Sequence, residues 1–172
     1  MTRVLQHGLS ADVIAVEAVP EKAEFLRQRF PQIAVHSCAL GDREGRVSFF
    51  VDTRRPGYSS LEAGSGSERV KIEVPMHRLD SIVPIDQCIG VIKIDVEGAE
   101  LAVLQGAEAV CRRWKPTICF ERASLEANVQ RVFRLLEDRG YQIFVPNRVA
   151  HEGPPMCLES FVESHHYPRR TT

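Results

Sequence analysis

The chain is 172 residues long, 44% hydrophobic and 26% charged, with a formal net charge of −1. That length supports one domain with its own core, and the near-neutral balance excludes a strong electrostatic pull toward nucleic acid or anionic lipid. No apolar run is long enough to span a bilayer, and "MTRVLQHGLSADVIAVEAVP" lacks the long apolar stretch and small-residue cleavage site of a secretory signal.

Taken in chain order, "DVIAVE" (12–17) is a short apolar run ending in an acid, the pattern of a strand buried on both faces. "VPEKAEFLRQRF" follows as a helix, with Pro20 in its first turn and Phe25, Leu26, Arg29 and Phe30 as its stripe; Pro31 stops it. "IAVHSCAL" reads as a second strand closed by the turn "GDREG". "RVSFFVD" (46–52) and "ERVKIEVP" (68–75) are β-rich and flank a Gly/Ser-rich loop, an antiparallel pair with a long connection. "GVIKID" (90–95) is the next strand. The helix after it carries Leu101, Leu104, Cys111 and Trp114 at helical spacing. "TICFE" (117–121) is again a strand ending in an acid. "LEANVQRVFRLLEDRG" is a helix with Leu125, Val129, Val132, Phe133 and Leu136 on one face and Gly140 as its cap. "YQIFV" (141–145) reads as a strand and "CLESFVES" as a weaker one. Strands alternating with helices predict a single α/β domain over 1–172, its sheet mostly parallel with helices on both faces. The five cysteines, Cys38, Cys88, Cys111, Cys119 and Cys157, form no C-x-x-C pair. They are expected to be reduced and buried in a cytoplasmic protein, with no metal site.

Ligands of open parallel sheets bind beyond the carboxyl ends of the strands. Glu17 stands at such an end, where a carboxylate accepts two hydrogen bonds from a ribose diol; a capping or solvated glutamate is the plainer alternative. Ala39 and Leu40 can wall an adenine ring with Asp42 at its edge, or belong to an ordinary turn. After "GVIKI" come Asp95, Glu97, Gly98 and Glu100. Residues two apart in a strand project together, so Asp95 and Glu97 point the same way, and Gly98 permits positive φ or close approach. Glu100 suits the first turn of a helix. Capping accounts for one or two of these acids, but not for Lys93, Asp95 and Glu97 together around a glycine. No Ser-His-Asp arrangement or G-x-G-x-x-G motif supports a hydrolase or a nicotinamide dehydrogenase.

"KIDVEGAELAVLQGAE" resembles the signature segment of the FkbM family of S-adenosylmethionine-dependent methyltransferases. "VIAVEAVPEKAEFLRQRF", "VHSCALGDREGRVSFFV", "GYSSLE", "VPMHRLDSI", "KPTICFE" and "LLEDRGYQIF" extend the likeness over nearly all of residues 12–145. The resemblance implies a Rossmann-like class I methyltransferase fold and methyl transfer from S-adenosylmethionine to a hydroxyl oxygen of a small molecule or sugar. It assigns Glu17 to the cofactor ribose and Ala39 and Leu40 to the adenine border. Asp95 falls at the cofactor's methionine end, and Asp95 and Glu97 are the groups that orient or deprotonate the acceptor. By the same resemblance Ser59 and Ser60, beside Tyr58, lie at the mouth of the site and touch the acceptor; an ordinary surface loop is the alternative. His77 is expected to be structural, Asp80 to cap the segment that follows it, and residues 163–172 to form a flexible tail carrying His165 and His166.

The family opens with a strand and a glycine-rich turn that cradles the methionine part of the cofactor, and these 172 residues show no counterpart. Residues 1–11 resemble the end of the first helix. Three explanations follow: a fragment or misplaced start, a degenerate protein that acts as a binding or interaction module, or a strand supplied by another chain. Weak or absent cofactor binding by the 172 residues is expected in each case.

Overall fold

A computed structural model describes residues 12–52, 69–96, 98–120 and 126–163. Strand β1 (Ile14–Val16) leads into helix α1 (Pro20–Arg29), which returns the chain to strand β2 (Ala34–His36), parallel to β1 with Ile14 opposite Ala34. Pro20 opens α1 where a missing N–H breaks no helical bond, and Arg27 and Arg29 occupy its last turn, where cations suit the carbonyl end. The buried side of α1 centres on Ala23; Phe25, about 200° further round the helix, is 64% exposed, so the expected stripe narrows to Leu26 and Phe30 against Ala15 and Ile33.

The apolar run "IAVHSCAL" is two strands, not one. β2 ends where Glu17 N donates to His36 O, and β3 (Ala39–Leu40) then pairs with a different partner, β5 (Arg69–His77). β4 (Gly45–Asp52) and β5 form the expected antiparallel pair, in register from Gly45–Met76 to Asp52–Arg69. A short helix α2 (Leu79–Ile82) precedes β6 (Val91–Ile94), which pairs parallel with β7 (Thr117–Phe120), Val91 opposite Thr117. Among the described residues three of the four pairings are parallel, so the chain is α/β with mostly parallel strand pairing. The strands nevertheless fall into three separate ladders, β1-β2, β3-β5-β4 and β6-β7.

Between β6 and β7 the predicted helix is divided into α3 (Glu100–Gln105) and α4 (Glu108–Trp114). The break has a tertiary cause. A Cβ on Gly106 would overlap the Gly41 carbonyl oxygen, so the loop after β3 presses directly on this turn. Ala107, the N-cap of α4, has no side-chain acceptor for the helix's free N–H groups. Asp80 supplies one from α2: its Oδ2 accepts from Ala109 N at 3.1 Å and its Oδ1 from Val110 N at 3.0 Å, while Asp80 N donates to Gly106 O. Asp80 is thus a cap, but for a helix begun 28 positions later, not for the segment it opens.

Helix α5 (Glu126–Asp138) buries Val129, Val132, Phe133 and Leu136 as its periodicity predicts, each contributing about 1.5–3 kcal/mol, against Ile94, Leu101 and Leu104. It closes with Tyr141 N bonded to Leu136 O and Gly140 N to Glu137 O, a Schellman end that needs the left-handed φ of 76° at Gly140. Residues 141–145 are not the expected strand. Ile143 turns into the core and Phe144 out, but their backbone link is one bond from Met156 N to Ile143 O, and no ladder forms. After α6 (Pro146–Ala150), the weaker predicted strand is instead a helix, α7 (Leu158–Glu163). Leu158, Phe161 and Val162 have helical spacing, and Phe161 packs 5.5 Å from the ring of Phe133. All five cysteines are free thiols; Cys38 and Cys111 are buried, while Cys88, Cys119 and Cys157 are exposed, against expectation.

Replacing Gly106 with Ala forces the Gly41 backbone aside and is expected to lower the unfolding free energy by about 1–3 kcal/mol. Asp80→Ala strips α4 of its cap and is expected to cost about 1–2 kcal/mol. Urea unfolding followed by circular dichroism measures both, and a midpoint unchanged in either variant contradicts the role given to that residue.

Candidate functional site

Glu17 follows the last residue of β1, where the chain turns toward α1. Its Oε1 accepts from Val19 N at 2.8 Å, which fixes the carboxylate at the strand end and leaves Oε2 without a partner among the described residues. The capping and the ligand readings of this glutamate are therefore compatible, one per oxygen. Ala39 is buried in β3 against Val74 and Met76, while Leu40 is partly exposed and packs on two buried clusters, the one that includes Ile94 and Leu104 and the one that includes Val110 and Cys111.

Asp95 follows the last residue of β6 and is 70% exposed at its side chain. Lys93 points the same way and lies 3.3 Å from Asp95 Oδ2; its Nζ also donates to Ile94 O. The strand presents this pair on an open face rather than burying it. Gly98 has φ 81°, a left-handed turn that a side chain would strain. Glu100 begins α3, is 3% exposed, and its Oε1 accepts from Gly98 N at 3.2 Å, so it closes the turn that glycine opens. Glu97, Ser59, Ser60 and Tyr58, like residues 1–11 and His165 and His166, lie outside the described residues.

Ile14, Leu40 and Ile92 all pack on one buried cluster of Leu79, Val83, Ala107, Val110 and Cys111. That cluster brings β1, β3 and β6 to a common floor. Glu17 and Asp95 each stand three positions beyond an isoleucine on that floor, each at the carboxyl end of its strand. A groove of about 330 Å³ lined by Phe133, Glu137, Tyr141, Gln142, Ile143 and Met156 contains none of these residues, and Glu137 is the one acid in its lining. Among the described residues no three His, Cys, Asp or Glu side chains gather as a metal would require, and no helix is long and apolar enough to cross a membrane.

One polar cluster was hidden in sequence terms by its turn chemistry. Glu44, in "GDREG", accepts from Arg78 N at 3.0 Å through Oε1 and meets His77 Nδ1 at 2.5 Å through Oε2. It ties the β3–β4 turn to the end of β5, which gives His77 the structural role expected of it. The Arg78 backbone N–H, then the Ser81 and His77 side chains, hold the Glu44 carboxyl down at about 2.

A family model described as methyltransferase FkbM domain matches residues 1–143. A crystal structure of methyltransferase FkbM from Methylobacillus flagellatus KT superposes with a TM-score of 0.52 at 20% sequence identity, covering 76% of this chain and 31% of that one. This chain thus spans under a third of that protein's length, and the likeness is one of fold. No curated protein matches the chain.

Because the Glu44 carboxyl lies at about 2 in the fold against an ordinary 4.5, the carboxylate stabilises the native state above pH 4.5 and this contribution is lost as pH falls toward 2. Glu44→Gln is expected to be less stable than the parent at pH 6, with the difference closing between pH 4.5 and pH 2. Thermal melts across that range test it; a difference independent of pH contradicts the assignment.

Proposed function

The chain belongs to the FkbM methyltransferase family, and on that premise we propose that its fold serves methyl transfer from S-adenosylmethionine to a hydroxyl oxygen of a small molecule or sugar. The observation that carries this reading is Glu17. Its Oε1 is tied to Val19 N at the end of a parallel strand, and its Oε2 is available to a ribose diol. The cofactor supplies the methyl group as a sulfonium; the remaining roles fall to the chain. Leu40 and the backbone at Ala39 border the adenine, because the Ala39 side chain turns away onto Val74 and Met76.

Asp95 faces the acceptor, oriented by its ion pair with Lys93. With Glu97 it positions the acceptor hydroxyl and takes its proton as the oxygen attacks, while Ser59 and Ser60 touch the acceptor from the loop. In-line attack on the methyl carbon, with the thioether sulfur as leaving group, would ask mainly for alignment and exclusion of water, so these residues act by placement. An acid at the mouth also suits a positively charged donor.

Titration of the 172-residue chain with S-adenosylhomocysteine, followed by amide chemical shifts, is expected to perturb residues 17–19 and to give a Kd weaker than about 1 mM. Glu17→Gln is expected to remove the perturbation. A silent titration at residues 17–19 overturns the ribose role of Glu17. Micromolar binding overturns the view that the described half-site holds the cofactor only weakly.

A further inference from the structure

Strand β4 is the outer strand of the β3-β5-β4 ladder, and among the described residues no strand pairs with its far edge. The groups at that edge follow from the hydrogen-bond phase. Gly41 N donates to His77 O, so His77 turns its backbone groups to β3, and alternate residues back along β5 do the same. Pro75 is one of them, so its missing N–H takes no bond from the β4 side. Val70, Ile72, Val74 and Met76 turn the other way and bond Val51, Phe49, Val47 and Gly45. Arg46, Ser48, Phe50 and Asp52 therefore hold their N–H and C=O groups outward, away from β5.

Natural edges avoid pairing by being short or by carrying lysine, proline or a bulge. β4, "GRVSFFVD", is eight residues long, has no lysine or proline, and meets β5 one for one without a bulge. Its core face is also incompletely covered. Val47, Phe49 and Ile72 are only half-buried against Ala39, Val74 and Met76, and Val70 is 52% exposed.

We infer that β4 is an interface between two copies of this chain, paired antiparallel about a two-fold axis at Phe49. Outward groups bond only when outward residues stand opposite one another, so the register moves in steps of two. One register sets Arg46 opposite Asp52 of the second copy and Ser48 opposite Phe50. In it Val47 meets Val51 and Phe49 meets Phe49 on the core face, the aromatic pair falling at the closer, non-hydrogen-bonded spacing. The neighbouring registers set Arg46 against Phe50, or carry Arg46 past the end of the partner strand, so unlike charges select the first. A strand that complements itself in phase, charge and apolar face points to a second copy as its occupant. The pairing joins two three-stranded ladders into one sheet and extends the apolar face across the axis. Residues 46–52 of each copy make a small interface, and a dimer Kd on the order of 100 µM is expected. The inference stands on backbone phase and does not depend on the proposed methyl transfer.

Sedimentation velocity of the full chain from about 5 µM to about 1 mM tests it, with hydrogen exchange across the same series. A dimer is expected to form with rising concentration. The amides of Arg46, Ser48 and Phe50 are expected to slow about tenfold or more as it forms, while Val47 and Phe49, already bonded to β5, change little. Phe50→Pro removes one outward N–H without breaking the β5 ladder and is expected to raise the dimer Kd about tenfold, circular dichroism confirming the fold. Arg46→Asp is expected to weaken the dimer, and Asp52→Arg in the same chain to restore it, although the bond from Arg46 to Glu73 O stays lost. A chain still monomeric at about 1 mM overturns the inference. So does protection of the three amides in the monomer, which assigns the edge to the chain's own residues. A dimer that leaves the three amides unchanged, or a double variant no tighter than Arg46→Asp alone, also overturns it.

Discussion

Among the described residues the three ladders share no strand, so ladder hydrogen bonding alone does not unite them. Side-chain packing around Leu79, Val83, Ala107, Val110 and Cys111 does, because Ile14, Leu40 and Ile92 reach it from three different ladders. That cluster exists only while α2 and α4 stay together. Asp80 holds them so, accepting two of the free N–H groups at the start of α4 while its own N–H bonds to Gly106 O. The same junction presses Gly106 onto Gly41, which sets the loop after β3 and with it Leu40. A short-range steric limit and one carboxylate therefore govern where the candidate site's strands end.

The acids divide by what their oxygens already do. Glu44, Asp80 and Glu100 accept backbone N–H groups in turns and at helix starts, and serve the fold. Among the described residues Glu17 gives one oxygen to the fold, and Asp95 meets a lysine on an open face. A carboxylate with capacity left at a strand end is what a ligand finds, which is why these two carry the functional reading.

A parallel sheet places its ligands at the carboxyl ends of adjacent strands, and among the described residues no ladder joins β1 to β6. Glu17 and Asp95 stand at the carboxyl ends of two strands that share a floor of side chains and not a ladder.

Much of this protein was legible in its residues. Local periodicity and turn chemistry identified β1, α1, the β4–β5 pair, the buried face of α5 and its Gly140 end, because each depends on neighbours a few positions away. The family signature around Asp95 was equally a local pattern, and it led to the fold that the chain has. What local pattern did not contain was the choice of partner. "IAVHSCAL" looks like one strand until its halves pair with β1 and β5, and one apolar helix becomes two only because Gly41 occupies the space beside Gly106. "YQIFV" alternates correctly but meets no edge, and "LESFVE" coils because Phe133 lies within reach of Phe161. Asp80 and Glu44 bind donors that are near in space and, for Glu44 and α4's N–H groups, distant along the chain. Sequence determined the elements, since their preferences are set within a few residues. Tertiary structure alone decided pairing and hydrogen-bond phase, since these depend on groups brought close only by the fold.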